Sequence, residues 1–268
     1  MIPPIYVKPF VKRQKNDVAD AEAICEAATR PTMRFVAVKS EERQGIAVIL
    51  RTRELLIRQR TQIINALRGH LAEFGVIVPK GVSNTGKLMD HICDPAMALP
   101  ETARDALSHL TDSLSRLDDH IQGLDREITR RAKASGTARR LMTIPGIGPL
   151  IAVAIVALAA PPATFRRGRD FAAWLGLTPK QNSTGGKQRL GATTKMGERS
   201  LRRLLIIGAN SVVSWRAKKG AMSGSWLERM LARKPAMLVR VALANKMARI
   251  VWAVMSSGQT YRAPAAQA

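Results

Sequence analysis

Acidic and aromatic residues are scarce in this sequence. Its 268 residues include 20 Asp and Glu against 43 Lys and Arg, which gives a formal net charge of +23. This excess of positive charge favours a polyanionic partner, nucleic acid first and an anionic membrane surface second. Aromatic residues make up 4% of the chain and hydrophobic residues 46%. The core must therefore be built from aliphatic side chains, a composition that suits helices.

Cysteine frameworks, histidine clusters and membrane-length apolar runs are also missing. Cys25 and Cys93 are too few for a disulfide framework or a metal pattern, and the 4 histidines are scattered. The apolar stretch 147–160 is too short to span a bilayer, and the N-terminus has no apolar signal core. We therefore expect a soluble cytoplasmic protein, associated with the nucleoid, that handles nucleic acid and has no membrane partner.

Helical periodicity dominates what is present, so the sequence predicts a mainly α fold. Residues 3–12 alternate enough to predict a short strand or an extended lead-in. Asn16 or Asp17 can cap a helix that runs to about Ala28. Two long helices are predicted at 40–74 and 101–133, and shorter ones follow the glycine turn near 146 and continue to residue 255.

The second long helix carries a coiled-coil seam, in which apolar residues recur at a strict three-four spacing. The seam consists of Leu107, Leu110, Leu114, Leu117, Ile121, Leu124 and Ile128. It would pair with the first long helix in a hairpin or with a second subunit, and both arrangements stay open. Residues 101–133 hold 7 acids against 6 bases, so this region is predicted to be scaffold and not to grip nucleic acid.

A pair of acids stands at the start of the 16–28 helix. Asp17 and Asp20 are three residues apart, so their carboxylates share one helical face. Oxygen ligands on such a face suit Mg²⁺, which takes one or two protein carboxylates and completes its shell with water and phosphate. The alternative is that both acids serve only the helix dipole.

Two further segments point to nucleic acid. Gly146 and Gly148, in an apolar-Pro-Gly-apolar-Gly pattern before an apolar helix, indicate a helix-hairpin-helix whose backbone amides bind phosphate. A plain turn between core helices is the alternative. Residues 161–234 hold 16 Lys and Arg against 3 acids, with Arg166 and Arg167 at the start. More than half of the excess charge therefore lies in little more than a quarter of the chain.

The stretch 176–205 combines a small polar loop with a row of cations. Ser183 sits at the loop tip beside Gly185 and Gly186, where its hydroxyl would be exposed and the backbone could approach a large partner. The predicted nucleic-acid contacts that follow are Lys187, Arg189, Lys195, Arg199 and Arg202. A surface loop with a solvated basic face is the alternative interpretation.

Together these stretches resemble the DEDD-type transposases of one bacterial insertion-sequence family, the "one-ten" family, and most closely its "eleven-eleven" group. The resemblance rests on YVKPFVKRQKNDVADAEAI, RTRELLIRQRTQIINALRGHLAEFG, IPGIGP and GLTPKQNSTGGKQRLGATTKMGERSLRRLL, in family order. It implies a RuvC-like nuclease domain, a coiled-coil dimerisation region and a C-terminal helical transposase domain. It also implies Mg²⁺ on an acidic tetrad, a serine that attacks DNA, and a guide RNA encoded by the element.

Carried over to this sequence, the resemblance makes Asp17 and Asp20 the last two acids of the tetrad and Ser183 the nucleophile. It places Gly146 and Gly148 in the hairpin. The first Asp and the Glu of the tetrad have no counterpart, so we expect a chain truncated at its N-terminus, or begun too late, and inactive alone. The other open function is a non-catalytic remnant that binds DNA or guide RNA.

The resemblance and the periodicity together divide the chain into four parts. Residues 1–38 are expected to be the remnant of the α/β RuvC-like domain, and 39–134 the coiled-coil dimerisation region. Residues 135–256 are expected to be the helical transposase domain with the helix-hairpin-helix and the serine loop. Residues 257–268 are predicted to be a disordered tail.

Overall fold

Long helices and one small β-hairpin make up the computed structural model, which describes residues 1–12, 16–33, 35–219 and 225–263. The mainly α prediction is therefore confirmed. The helices are α1 (Pro4–Val7), α2 (Asp17–Thr29), α3 (Glu41–Glu73), α4 (Thr85–Cys93), α5 (Glu101–Ala134), α6 (Gly136–Leu141), α7 (Pro149–Leu158), α8 (Gly168–Trp174), α9 (Arg199–Lys219), α10 (Trp226–Arg233) and α11 (Ala236–Ser257). The strands are β1 (Pro179–Gln181) and β2 (Leu190–Thr193).

The N-terminal segment differs from its prediction. Residues 3–12 form the short helix α1 and a 3₁₀ turn at Lys8–Phe10, so the predicted strand is wrong. The reason is proline, because Pro4 and Pro9 stand in the first turn of each piece, where a fixed φ suits a helix and the missing N–H costs nothing. The α2 prediction is confirmed, since the Asn16 side chain accepts a 2.7 Å hydrogen bond from the Ala19 amide.

An antiparallel pairing of α3 and α5 forms the long axis of the molecule. Arg53 bonds Asp125 at 2.5 Å and Arg60 bonds Asp118 at 2.9 Å. Residue numbers thus rise along α3 while they fall along α5, as an antiparallel pair requires. The alternate seam residues Leu107, Leu114, Ile121 and Ile128 are buried. Leu110, Leu117 and Leu124 are only half-buried. The seam thus pairs within the chain, and pairing with a second subunit remains a prediction.

The C-terminal helices pack around α7. Seven of its ten residues are buried, because the helix is apolar on every side and contacts α3, α5, α6 and α9. Helix α11 in turn packs against α8 and α9. A smaller apolar cluster at the far end of the long hairpin is covered by α4. The serine stretch is therefore anchored on the larger of the two cores.

The end of the chain contacts this body. The Tyr261 amide donates a 2.9 Å hydrogen bond to the Thr143 hydroxyl, and the Tyr261 ring packs against the large core. The segment predicted as a tail, 257–268, is described as far as residue 263, and its remainder lies outside the described residues. Among the described helices, none is both long and apolar enough to cross a membrane.

Candidate catalytic arm and nucleic-acid interface

The serine stretch is a β-hairpin and not the simple loop that the sequence predicts. Strands β1 and β2 pair antiparallel, and a bridge between Thr184 and Lys187 closes the tip with bonds of 3.1 and 3.4 Å. Gly185 and Gly186, the two residues between them, have φ values of 55° and 74°. Positive φ at both positions defines a type I′ turn, whose twist matches that of the flanking strands. We call the segment 178–194 the serine arm.

The serine arm projects from the body. Every residue from 179 to 192 is exposed, and the arm is held by its own ladder, which includes a 2.8 Å bond from the Asn182 amide to the Arg189 carbonyl. Within the described part of the chain, the Ser183 hydroxyl has no hydrogen-bond partner. The predicted exposure of Ser183 is therefore confirmed.

Ser183 and the cations of the arm occupy opposite faces. The pairing of 184 with 187 and of 181 with 190 puts Ser183 across from Gln188, and successive side chains of a strand alternate between faces. Asn182, Arg189 and Lys187 thus share the other face. A β-carbon on Gly191 would lie 2.9 Å from the side-chain Nδ2 of Asn182 and 3.7 Å from Lys180 Cβ. Position 191 therefore lies on the same face as Asn182, as the alternation of side chains requires.

A tight crossing of the chain fixes the base of the serine arm. A β-carbon on Gly176 would lie 2.0 Å from the Met196 carbonyl oxygen, and one on Gly197 would lie 1.7 Å from the Trp174 oxygen. Both glycines also have positive φ, at 71° and 83°. No other residue fits either position. These glycines were not singled out in the sequence, where they look like ordinary loop residues.

Arg202 holds the same crossing together. Its Nη1 donates 3.0 Å hydrogen bonds to the carbonyls of Leu175 and Met196, on the two sides of the arm base. This nitrogen is therefore engaged with the protein backbone, a role that the predicted nucleic-acid contact did not include. Lys195 and Arg199, by contrast, are exposed around the base. The Lys195 amide bonds the Gly176 carbonyl at 3.3 Å, and Lys195 itself has a φ of 55°.

The glycine turn between α6 and α7 packs against α9. A β-carbon on Gly146, whose φ is 86°, would lie 2.7 Å from the Gly208 carbonyl oxygen. Gly148 caps α7 and has no atom within 4 Å of its missing β-carbon. The first glycine thus serves helix packing, while the second leaves the α7 N-terminus accessible. The helix-hairpin-helix and its binding of phosphate both stay predictions.

The turn forms the floor of a cleft of about 610 Å³ between α3 and α9. The cleft is bridged by a 2.8 Å ion pair between Arg203 and Glu54. At its end Glu198 accepts a 3.0 Å hydrogen bond from the Ser200 amide. Partial burial lowers the pKa of the Lys39 amine, and the charge of Glu198 opposes that shift.

The remaining predicted residues lie apart from the serine arm. Arg166 and Arg167 are exposed just before α8, and the Arg167 amide donates to Asp170 at 3.2 Å. Asp17 is exposed and Asp20 half-buried in the first turn of α2, which packs on α1 and the 3₁₀ turn. The arm is carried instead by α8 and α9. The structure thus holds the two acids and Ser183 on separate parts of the molecule.

The acid pair offers Mg²⁺ a minimal set of ligands. Across the described ranges, no group of three or more His, Cys, Asp or Glu side chains is placed to hold a metal ion. Two neighbouring carboxylates are nevertheless the protein share that Mg²⁺ commonly takes. The donor set therefore fits the ion chemically and stays a prediction.

Comparison with known proteins places the chain in a family. The model of the transposase IS116/IS110/IS902 family matches residues 138–222, and a second model, described as a transposase, matches residues 1–76. The chain is 44% identical over 270 residues to a putative transposase of Sinorhizobium fredii, covering 100% of this chain and 69% of that protein.

Two further relatives agree. A probable family 20 transposase of Pseudomonas aeruginosa is 46% identical, over 98% of this chain and 78% of the relative. The transposase for insertion sequence element IS1111A of Coxiella burnetii is 36% identical, over 98% of this chain and 72% of the relative. The chain therefore belongs to the IS110/IS116/IS902 family of insertion-sequence transposases.

Proposed function

We propose that this transposase cuts and rejoins DNA through attack of the Ser183 hydroxyl on a phosphodiester. The observation that supports the proposal is the position of Ser183 on a projecting arm, exposed and without a hydrogen bond to any described residue. A structural serine in a turn would bond its own backbone instead. Ser183 also stands on the arm face opposite Lys187 and Arg189, so a DNA strand can reach the hydroxyl directly.

The chemistry conserves phosphodiester bonds. Ser183 Oγ loses its proton and attacks phosphorus, a P–Oγ bond forms, and the bond from phosphorus to one sugar oxygen breaks. The departing sugar oxygen takes up a proton. A sugar hydroxyl of the recipient DNA end then attacks the same phosphorus, which rejoins the strand and returns the serine. Because a serine alcohol is a weak nucleophile at neutral pH, the reaction requires activation of Oγ.

Asp17 and Asp20 are proposed to hold Mg²⁺ for this step. When held there, the ion would supply charge neutralisation at the phosphate and would make the Ser183 hydroxyl easier to deprotonate. The two carboxylates share one turn of α2, so both can face the same ligand. Because α2 and the serine arm belong to separate parts of the molecule, the DNA would have to bridge them, within one subunit or between two.

The cations near Ser183 are proposed to hold the flanking DNA. Lys187 and Arg189 lie on the arm face opposite Ser183, so they suit phosphates beside the attacked one or on another strand. Lys195 and Arg199, exposed at the arm base, extend the contact toward the body. Arg166 and Arg167 would contribute from α8, and the glycine turn through Gly148. A guide RNA encoded by the element is proposed to share these contacts and to select the DNA.

The test is a denaturing gel of end-labelled DNA carrying the element end, incubated with protein, Mg²⁺ and the element RNA. It uses this chain and a version extended upstream to carry the two further acids that the resemblance implies. In the version that cuts, Ser183→Ala should abolish the covalent DNA adduct and leave binding intact. The matched control, Thr184→Val, should retain the adduct. An adduct that survives Ser183→Ala would place the nucleophile elsewhere.

A second function, nucleic-acid binding without cutting, is favoured because the described residues contain no group of three or more His, Cys, Asp or Glu side chains that could hold a metal ion. The same gel separates the two. Binding by both versions with no adduct in either would establish the binding function. An adduct lost in Asp20→Asn, with binding unchanged, would establish the enzyme and the role of the acid pair.

A further inference from the structure

Charge is sharply segregated along α5, although the helix as a whole is nearly balanced. Residues 101–125 hold 6 acids and 2 bases, whereas residues 126–134 hold 4 bases and 1 acid. After Glu127 there is no acid until Asp170. The overall balance of this region therefore hides a basic end, which a count over the whole helix cannot reveal.

The basic end presents an ordered row of cations. Arg126, Arg130 and Lys133 follow a four-three spacing, which places them on one face of α5. All three are exposed, and together with Thr129 they line one shallow groove. Asp125, at the edge of this groove, is already bonded by Arg53 at 2.5 and 3.1 Å. The charge of Asp125 is thus neutralised by Arg53 of α3 and not by the cations of the row.

Glu127 neutralises the row only in part. It accepts hydrogen bonds of 2.7 and 2.8 Å from Arg130 and of 2.6 Å from Arg131. These two arginines hold the pKa of Glu127 at about 2. One negative charge is therefore shared between two guanidinium groups. Within the described ranges, Arg126 and Lys133 have no ion-pair partner.

The helix dipole explains only part of this arrangement. Cations stabilise a helix C-terminus within its last turn, and in α5 that turn contains Arg131 and Lys133. Arg126 and Arg130 lie before it, where the dipole gives them little. Repulsion among close cations is unfavourable in the free protein and is relieved by a polyanion.

We propose that Arg126, Arg130 and Lys133 form a second nucleic-acid contact, which binds a phosphate backbone away from the serine arm. Seven residues of helix span about 10 Å, and phosphates of one duplex strand recur about every 3.4 Å along the axis. The row is thus long enough for its three cations to contact phosphates of one backbone. This inference rests on the proposed action on nucleic acid, and it gives the long helical hairpin a binding role in addition to its scaffold role.

The test measures the slope of log affinity against log salt concentration. Each neutralised phosphate contributes about 0.9 to the size of that slope on duplex DNA and about 0.7 on single strands. Labelled duplex DNA and single-stranded RNA of equal length are titrated separately. In the triple variant Arg126→Gln, Arg130→Gln, Lys133→Gln the slope should drop by about 2 to 3 on at least one of them. The nucleic acid that responds is the one that the row binds.

Two further variants make the outcome decisive. Arg116→Gln, an exposed site on the acidic part of the same helix, should leave both slopes unchanged. Arg126→Gln alone breaks no hydrogen bond among the described residues and should lower the slope by about 1, which covers the case of a triple variant that misfolds. Unchanged slopes in the single and the triple variant would overturn the inference. If the serine arm itself proves not to bind nucleic acid, the inference about α5 still stands. Binding by the arm is tested separately, by Lys187→Ala with Arg189→Ala.

Discussion

Arg202 Nη1 lies 3.0 Å from the carbonyl oxygen of Met196, the residue from which the serine arm returns to the body. The same nitrogen bonds Leu175 on the entering side. Because the arm makes its ladder bonds within itself, this double contact sets how the arm meets α8 and α9. The direction of the arm is thus controlled from the first turn of α9.

Replacing Arg202 should therefore loosen the arm base. In Arg202→Gln the Thr194 and Lys195 amides, which bond Thr178 and Gly176, should exchange with solvent at least roughly tenfold faster, since a hydrogen bond to a charged group contributes about 1.5 kcal/mol or more. Hydrogen exchange read by mass spectrometry measures this. Arg199→Gln, a matched exposed site on the same helix, should leave both amides unaffected. Equal rates in the two variants would remove Arg202 from this role.

Alanine substitution should have opposite effects on stability at two helical glycines, one at the contact between the glycine turn and α9 and one away from it. A methyl group at Gly208 would lie 2.3 Å from the Gly146 carbonyl oxygen, so Gly208→Ala should destabilise the protein by about 1–3 kcal/mol. Gly123 on α5 faces open space, and Gly123→Ala should stabilise it by roughly 0.5–1 kcal/mol. Urea unfolding measures both. A neutral Gly208→Ala would show that the turn and α9 separate easily.

The half-buried side of the seam predicts where a second subunit would bind. Leu110 and Leu117 line an open groove between α3 and α5, beside Ile63 and Ala66. Leu117→Glu, at a position outside both apolar cores, should weaken the predicted dimer while the thermal midpoint changes little. Sedimentation velocity measures the change in mass.

The buried side of the seam supplies the control for that experiment. Leu114 is 1% exposed inside the chain, so Leu114→Asp should unfold the helical hairpin by burying an unpaired charge. An unmutated chain that sediments as a monomer would exclude self-association through this groove.

The cationic face of the serine arm predicts a binding effect separable from chemistry. Lys187→Ala with Arg189→Ala should lower the salt slope on duplex DNA by about 1.8, because two phosphate contacts are lost. Ser183→Ala, on the opposite face, should leave the slope unchanged. Fluorescence anisotropy at four salt concentrations measures both. A slope that follows Ser183 and not the cations would reverse the assignment of the two faces.

Helix boundaries were predictable because local signals fix them. The Ser40 hydroxyl accepts from the Arg43 amide at 3.4 Å at the start of α3, as the sequence around it indicates. The serine arm was not predicted as strands, because its residues are polar on both faces and show no period of two. The available signal was the Gly185-Gly186 pair, which favours a two-residue hairpin turn.

The site was predictable only in part, for a different reason. A cation in a basic run looks the same in sequence whether it faces solvent or the backbone. Arg202 and Arg199 differ only in tertiary contacts, which no local pattern encodes. The basic end of α5 was missed because charge was summed over a whole helix, whereas binding depends on how charge is distributed along it.

The type I′ turn and the exposed ladder of the serine arm have a consequence for how this protein can change. Folding of the large core does not depend on the identity of residues 179–192, because none of them is buried. Substitutions there are free of the packing constraints that act on α7 or α9. The sequence of the arm can therefore change while the helical body stays the same, provided that Gly176, Gly197 and Arg202 keep its base intact.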